Sequence, residues 1–322
     1  MLVELLLALS SHASGSGSSA VKHADGVFIF APAGVFRSCA LLFVRLLDDD
    51  VRAERAEAAQ LLVAGQFPIT CLPETTPTGS RVRRLERLAD DPGPDKLKEL
   101  LSQSQPFFFP GALESWPART RWNSLAYLDG KAGHRLVPTE LGSNVGADGW
   151  KEELMPFSRF LEEFLAPSCR GAHAQTAYLA QHELFEQCPV LRADIAVPQT
   201  WQEVLGAPTR CNAWVGTSRT LTPCHWDSYD NFLAQVQGFK RVVLLAPNQH
   251  TKLHVRVDAG TGAQGNISPV NVEEPDLNQY PDFREAETLV VDLAPGDVLY
   301  MPSGWWHQVR ALTPSISVNF WY

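Results

Sequence analysis

The chain has 322 residues and a formal net charge of −9, with 45% hydrophobic and 20% charged residues. These proportions are typical of a globular protein with one or two domains, and they exclude a disordered or fibrous chain. An acidic chain without polybasic stretches binds nucleic-acid phosphates and anionic membranes poorly, so we expect neither partner. The six cysteines are scattered without a C-x-x-C pair, which favours reduced thiols and predicts a nuclear or cytoplasmic protein.

Residues 1–65 are predicted to be an extension in front of the main domain, partly helical and partly flexible. The apolar run 1–9 lacks the basic residues of a signal peptide, and the Ser/Gly-rich residues 10–20 predict a flexible linker. A second apolar run, 27–47, contains two arginines, whose cost in a bilayer disfavours a membrane helix. The Ala-rich, charged residues 48–64 favour a helix.

Residues 66–322 are predicted to form one domain whose second half is mainly β. Amphipathic patterns and a proline-bounded apolar run predict helices at 95–101, 122–129 and 157–165, and a strand at 106–110. Alternating or β-branched segments predict further strands at 231–237, 240–246, 288–293, 298–301 and 315–321. Several short strands with Gly/Pro turns are typical of a sandwich or barrel, so the expected fold is mainly β with flanking helices.

A His-x-Asp motif at His225 and Asp227 is the first candidate for chemistry, because residues i and i+2 of a strand share one face. Alone it is weak, since a hydrogen-bonded His–Asp pair explains it equally well. A second copy, His23 with Asp25, is set aside because it lies in the terminus predicted to be flexible. A turn, strand and second turn downstream lead to His307, and two His with one carboxylate are the ligand set of non-haem Fe(II) oxygenases.

With these motifs in view, the chain resembles the JmjC-domain 2-oxoglutarate oxygenases from about residue 66 to its end, and the protein arginyl hydroxylases among them most. The resemblance is carried by A-Y-L-A-Q-H-E-L-F (177–185), N-A-W (212–214), T-P-C-H-W-D-S-Y-D-N-F-L-A-Q-V (222–236), G-F-K (238–240), V-E-E-P-D-L-N-Q-Y-P-D-F (272–283), P-G-D-V-L-Y-M-P (295–302), W-H-Q-V-R-A-L (306–312) and S-V-N-F-W (317–321). It implies a double-stranded β-helix of the cupin, or jelly-roll, type. It also implies Fe(II) as metal, with 2-oxoglutarate and dioxygen as co-substrates.

The resemblance assigns roles to individual residues. The iron ligands are His225, Asp227 and His307, and Lys240 pairs with the distal carboxylate of 2-oxoglutarate. Around that carboxylate it implies Tyr178, Thr222 and Asn231 as hydrogen-bond donors and Trp214 as a wall. Towards the substrate it implies Glu140 facing an arginine side chain and Trp150 stacking on the same cation. A carboxylate suits a guanidinium because the pair can be bidentate, and an aromatic face attracts a cation.

Three functions stay open at this point. The first is hydroxylation of an arginine side-chain carbon in a protein substrate, and the second is demethylation of Nε-methyl-lysine in histones. The third is a catalytically silent JmjC binding module. Such a module is free to lose its ligand residues, so the presence of all three ligands and of Lys240 argues against it. A cupin isomerase or zinc hydrolase fits less well, since neither has a use for Lys240. The expected partner is a protein presenting arginine or methyl-lysine, and the enzyme is expected to be a monomer because a core strand closes the sequence.

Overall fold

The computed structural model describes residues 2–31, 34–59, 66–70, 76–142, 149–172, 175–255 and 265–322. Helices α1 to α11 are Leu2–Ala13, Gly17–Phe30, Val35–Ala59, Pro94–Ser102, Ala118–Arg121, Leu125–Ala132, Phe157–Phe160, Ala166–Cys169, Leu184–Gln187, Pro189–Arg192 and Gln199–Leu205. A π-helical turn, Leu161–Leu165, joins α7 to α8, and two 3₁₀ turns occupy Pro247–Leu253 and Pro281–Glu285. Strands β1 to β13 are Arg81–Arg84, Phe107–Phe109, Leu136–Leu141, Lys151–Pro156, Ala177–His182, Arg210–Gly216, Leu221–His225, Asn231–Gln237, Lys240–Leu245, Glu287–Leu293, Val298–Met301, Trp306–Ala311 and Ser315–Trp321.

Two sheets form the body of the protein. The smaller sheet has the order β1-β10-β9-β12-β7 and the larger one the order β2-β11-β8-β13-β6-β5-β3-β4. The strands pair antiparallel throughout, apart from the parallel edge pair of β1 with β10. This architecture confirms the predicted fold class, mainly β with flanking helices in a jelly-roll double-stranded β-helix.

Apolar side chains that alternate between the two faces of each strand form three separate apolar layers. On β9, Val242 and Leu244 face the larger sheet and pack with Leu233 and Met301, whereas Val243 and Leu245 pack outwards under the chain that leads to β10. The outer face of the larger sheet is covered by the helices, with Phe320 against Trp201 at a ring-centroid distance of 5.7 Å. Because successive side chains of a strand alternate between faces, Lys240 shares the inward face of Val242 and Leu244.

The predicted secondary structure of the main domain is largely confirmed, with shifted boundaries. The helix at 95–101 is α4 and the strand at 106–110 is β2. The helix predicted at 122–129 begins at Leu125 because Ser124 caps it, its hydroxyl accepting a hydrogen bond from Tyr127 N at 3.2 Å. Strand β3 and the edge strand β4 were not predicted, since β3 contains a proline and β4 begins with three charged residues.

The N-terminal region contradicts the prediction of a flexible linker at residues 10–20. Helix α1 continues to Ala13 and α2 begins at Gly17, and these helices share an apolar core with α3. Packing of apolar faces therefore overrides the Ser/Gly composition. The predicted helix at 48–64 is the second half of α3 as far as Ala59, while residues 60–65, where we place the domain boundary, lie outside the described residues.

Asp25 shows that this helical region is docked on the main domain. The carboxylate was set aside as part of a mobile His-x-Asp copy, yet it is fully buried. It accepts hydrogen bonds from Arg135 Nε at 2.9 Å and from the backbone N–H of Leu136 at 3.0 Å. On α3, Asp48 accepts a bond of 2.7 Å from the ring of His134. Asp25 and Asp48 of the N-terminal extension therefore bond to two adjacent buried side chains of the main domain, Arg135 and His134.

Two further sequence expectations concern the described residues only. Five of the six cysteines lie within them, and none of these five forms a disulfide, while Cys71 falls outside. No helix in the described ranges is long and apolar enough to span a bilayer.

Candidate metal and co-substrate site

A cavity of about 360 Å³ lies between the two sheets. Its wall contains four residues of the edge strand β7 and its neighbour β12, four aromatic or asparagine residues of the larger sheet, and the lysine of β9. The lining residues are Tyr178, Trp214, Thr222, His225, Asp227, Asn231, Leu233, Lys240, Met301, His307, Val309 and Asn319. All eight residues predicted to bind metal or co-substrate are therefore brought into one cavity.

A β-bulge in β7 directs two of these side chains inwards. His307 pairs with His225 and Val309 with Thr222, so three residue steps on β7 face two on β12. The extra residue changes the strand's parity, and both Thr222 and His225 consequently face the cavity. Cys224 points outwards into the apolar layer, and its burial raises the pKa of the thiol, as expected for an inert cysteine.

The position of Asp227 differs from the prediction. His225 and Asp227 do not share a strand, because β7 ends at His225 and Asp227 lies in the following turn. The turn is held from outside, since Gly304 N donates to the carbonyl of Asp227 at 2.9 Å. The turn that precedes β12 thus positions the carboxylate next to the His307 strand.

The three candidate ligands converge on one point, with their ligating atoms all within 4.8 Å of one another. Asp227 places Oδ1 at 3.8 Å from Nε2 of His225 and Oδ2 at 3.7 Å from Nε2 of His307. Each imidazole donates from Nδ1 to the backbone carbonyl two residues before it, at 2.8 Å for Pro223 and 3.0 Å for Trp305. These bonds fix the tautomers and leave both Nε2 lone pairs free, as metal ligands require.

Electrostatics favour a cation at this point. Burial, followed by the neighbouring His225, lowers the pKa of His307 to about 3, so the ring is neutral at physiological pH. Burial raises the pKa of Asp227, which His225 only partly opposes. A divalent cation between the three groups would stabilise the carboxylate form and remove that cost. The donor set, two neutral imidazoles and one carboxylate, fits Fe(II).

Lys240 lies at the other end of the cavity, 1% exposed. Its Nζ donates to Tyr178 Oη at 3.3 Å and lies 5.4 Å from the centre of that ring. No carboxylate in the described part of the chain forms an ion pair with it, and burial lowers the pKa of its ammonium to about 7. A buried lysine without a counter-ion is costly, and an anionic ligand would provide the missing charge.

Neutral polar groups surround this lysine. Thr222 lies next to the hydroxyl of Tyr178 and partly opposes the burial that raises the pKa of this phenol. Trp214 Nε1 donates to Oδ1 of Asn319 at 2.9 Å, and Asn319 Nδ2 donates to Oδ1 of Asn231 at 3.3 Å. The chain of bonds orients the Asn231 amide so that its NH₂ group is available to an acceptor in the cavity.

The two predicted substrate residues lie outside the cavity lining. Glu140 is the direct cross-strand neighbour of Tyr178 on β5 and of Glu152 on β4. Opposed residues of an antiparallel pair share a face, so Glu140 faces the side of the larger sheet that carries the cavity. Burial raises the pKa of its carboxyl, the neighbouring Trp150 partly opposes this, and Glu152 raises it further. Trp150 is half-buried immediately before β4.

Four lining residues were not predicted: Leu233, Met301, Val309 and Asn319. Leu233 and Val309 stand two positions after Asn231 and His307 on the same strands, so strand alternation was the available signal. Asn319 lies in the S-V-N-F-W segment, but its register opposite Leu233 depends on pairing with β8, which the local sequence does not specify.

Comparison with known proteins agrees with this geometry. The family model of the cupin-like domain matches residues 94–322. The chain therefore belongs to the cupin-like, JmjC-type domain family.

Three curated proteins are similar to this chain over part of its length. Lysine-specific demethylase JMJ30 of Arabidopsis thaliana is 38% identical over 226 residues, 70% of this chain and 52% of that protein. Jumonji C domain-containing protein 5 of Drosophila melanogaster is 36% identical over 222 residues, 68% of this chain and 54% of that protein. Lysine-specific demethylase 8 of Xenopus tropicalis is 37% identical over 224 residues, 69% and 49% of the two chains. The chain spans about half the length of these curated relatives.

Proposed function

We propose that the chain is an Fe(II)- and 2-oxoglutarate-dependent protein hydroxylase acting on an arginine side-chain carbon. One observation carries the oxygenase part. Three convergent ligand atoms and a buried lysine, which forms no ion pair with any carboxylate of the described residues, stand at opposite ends of one cavity. A 2-oxo dicarboxylic acid has two chelating groups at one end and a second carboxylate at the other, so it complements both ends.

Each residue of the cavity has a proposed role. His225, Asp227 and His307 hold the metal, and Lys240 with Tyr178, Thr222 and Asn231 binds the distal carboxylate of 2-oxoglutarate, with Trp214 as the adjoining wall. With Fe(II) in place, one dioxygen atom enters succinate as 2-oxoglutarate loses CO₂, and the other enters a substrate C–H bond. The chain's own contribution is to orient the co-substrate, to exclude water from an enclosed site, and to hold the target carbon nearby.

The arginine assignment rests on Glu140 and Trp150. Glu140 is half-buried on the face that carries the cavity, and no lysine or arginine in the described ranges forms an ion pair with it. A guanidinium can donate two hydrogen bonds to such a carboxylate, whereas a trimethylated ammonium can donate none.

The demethylase alternative is favoured by the names of two relatives, both called lysine-specific demethylases. It differs from the proposal only in the substrate side chain, since the same metal and co-substrate residues serve both reactions. The distinction therefore has to come from the product.

Anaerobic addition of Fe(II) and then 2-oxoglutarate tests the oxygenase part. The expected result is a visible charge-transfer band that Asp227→Ala abolishes, and a folded parent chain without the band would contradict the proposal.

The substrate is tested by mass spectrometry on arginine and methyl-lysine peptides. Arginine peptides should gain one oxygen, and Glu140→Gln should lose that activity while keeping the band. Loss of methyl groups from lysine alone would select the demethylase.

A further inference from the structure

Ile267 is an exposed apolar residue directly beside a candidate metal ligand. It forms an antiparallel bridge with His225, which is itself paired with His307 on the other side of β7. Exposure increases along this row, from 5% of the His307 side chain to 18% of the His225 side chain and 59% of Ile267. The row therefore runs from the buried metal ligands to the protein surface.

The backbone bonds around Ile267 define where its side chain lies. Trp226 N donates to the carbonyl of Asn266 at 3.1 Å, and Ser268 N donates to that of Cys224 at 2.8 Å. Because these bonds flank His225 and Ile267 instead of joining them, the two residues form a non-hydrogen-bonded pair, in which Cα atoms are about 4.5 Å apart. Side chains of such a pair are on the same face and closest together. Ile267 is therefore adjacent to the His225 imidazole at the cavity mouth.

This segment is anchored independently of the bridge. Ser268 Oγ donates to the carbonyl of Leu253 at 2.7 Å and accepts from Val270 N at 3.1 Å. Asn266 Nδ2 adds a bond of 3.2 Å to the carbonyl of Trp226. An apolar side chain on a fixed backbone can offer contact area to a ligand at little cost in conformational entropy.

The side of the cavity mouth formed by the larger sheet is acidic. Tyr178 in the cavity is followed outwards by Glu140 and then by the exposed Glu152, in one cross-strand row. The mouth thus has an acidic side on the larger sheet and an apolar side, at Ile267, on the smaller sheet.

We propose that Ile267 is a specificity-determining residue that contacts an apolar side chain adjacent in sequence to the modified residue of the protein substrate. This inference rests on the proposed function, because it requires a polypeptide to enter between the two sides. The acidic row receives the cationic target side chain, and its apolar neighbour packs on Ile267 next to the metal centre.

The test uses synthetic peptides with a central arginine or trimethyl-lysine, flanked on both sides by leucine, serine or lysine. The parent chain should prefer the leucine-flanked peptide over the serine-flanked one by about tenfold in kcat/KM, the selectivity that a small apolar contact provides. Ile267→Ser should reduce this preference to about twofold or less. Ile69→Ser, which removes an 87% exposed isoleucine outside the cavity lining, should keep it.

Ile267→Glu provides a change that misfolding cannot imitate, since its preferred flanking residue should switch from leucine to lysine. The inference is overturned if the parent shows no preference among the peptides, if it converts none of them, or if Ile267→Ser and Ile267→Glu retain the leucine preference. Failure of the proposed function is a separate result: the parent then gives no charge-transfer band with Fe(II) and 2-oxoglutarate before any peptide is added.

Discussion

His225 and His307 face each other across strands β7 and β12, with ring centroids 4.3 Å apart and ring planes at 55°. Each ring is fixed by a bond from Nδ1 to a backbone carbonyl of its own chain segment. Neither bond needs a metal, so the protein fold alone sets both tautomers and both ring orientations. The site is therefore preorganised, and metal binding requires little rearrangement of the two imidazoles.

Replacing His307 by alanine tests whether this pair binds iron. Removing a ligand should cost at least the roughly 100-fold in metal affinity that the loss of a supporting hydrogen bond can cost. Fe(II) titration monitored by the 2-oxoglutarate charge-transfer band measures the effect. His250→Ala is the matched control, because His250 is exposed and its ring bonds to the backbone carbonyl of Pro247 at 3.2 Å. Equal affinities of the two variants would remove His307 from the ligand set.

Lys240→Met tests the co-substrate end of the cavity. The substitution keeps the length of the side chain and removes its charge, so a charge-assisted hydrogen bond of about 1.5–3 kcal/mol is lost. The KM for 2-oxoglutarate should rise by about 10- to 150-fold, the same free energy expressed as a ratio.

The stability of the same variant gives a second readout. Without ligand, Lys240 is a buried cation whose carboxylate partner is absent among the described residues, so Met should leave the melting temperature unchanged or raise it. Lys98→Met on the exposed face of α4 should alter neither the KM nor the melting temperature. A lower melting temperature with an unchanged KM would show that Lys240 is a structural residue.

Binding of 2-oxoglutarate should depend on pH through Lys240. Burial lowers the pKa of the free ammonium to about 7, and a bound carboxylate raises it again. Above pH 7 the empty site has lost its proton and must take one up on binding, so affinity falls as pH rises from 7 towards the pKa of the complex. Below pH 7 this contribution is constant. Calorimetry at pH 8 in buffers of different ionisation enthalpy should register proton uptake, which Lys240→Met eliminates.

The sequence predicted the central strands well because their signals are local. On β8 apolar residues alternate with amides and on β9 β-branched and leucine residues are continuous, and both faces of each strand are buried. The bulge in β7 is different, since it arises from pairing with β12, some 80 residues away in sequence. The i, i+2 argument for His225 and Asp227 therefore named two residues that the structure does bring together, but with the wrong local geometry.

The residues of the site also divide into those that local sequence identifies and those that depend on distant strand pairing. His225, Asp227 and His307 were accessible because their residue types are distinctive, whereas Leu233, Met301 and Val309 are ordinary apolar residues whose role is given by strand parity. Asn319 orients Asn231 across two strands, a contact that depends on tertiary register. Composition was misleading for Asp25, because its burial depends on Arg135, which lies 110 positions away.

The Asp25–Arg135 contact predicts that the N-terminal helices stabilise the cupin-like domain. Burial by itself lowers the pKa of Arg135, and the carboxylate of Asp25 more than reverses this effect, so the guanidinium stays charged in the interior. Asp25→Asn keeps the shape and removes the main carboxylate partner of that charge, leaving Arg135 with Asp48, whose Oδ1 lies 3.4 Å from its Nη1. The substitution should lower the free energy of unfolding by up to about 3–5 kcal/mol. Urea denaturation followed by tryptophan fluorescence measures the loss.

The double variant Asp25→Leu with Arg135→Met separates the pair from the rest of the interface. Replacing both charges by apolar groups leaves neither charge without its partner, although the Leu136 N–H loses the acceptor that Asp25 provides. Stability should therefore return to within about 1–3 kcal/mol of the parent. Glu99→Gln breaks the exposed pair with Lys96, separated by 2.8 Å, and should cost less than about 1 kcal/mol. If Asp25→Asn costs no more than that exposed control, the helices are not held to the domain by this ion pair, and their docking has to rest on their other contacts, such as the Asp48–His134 hydrogen bond and apolar packing.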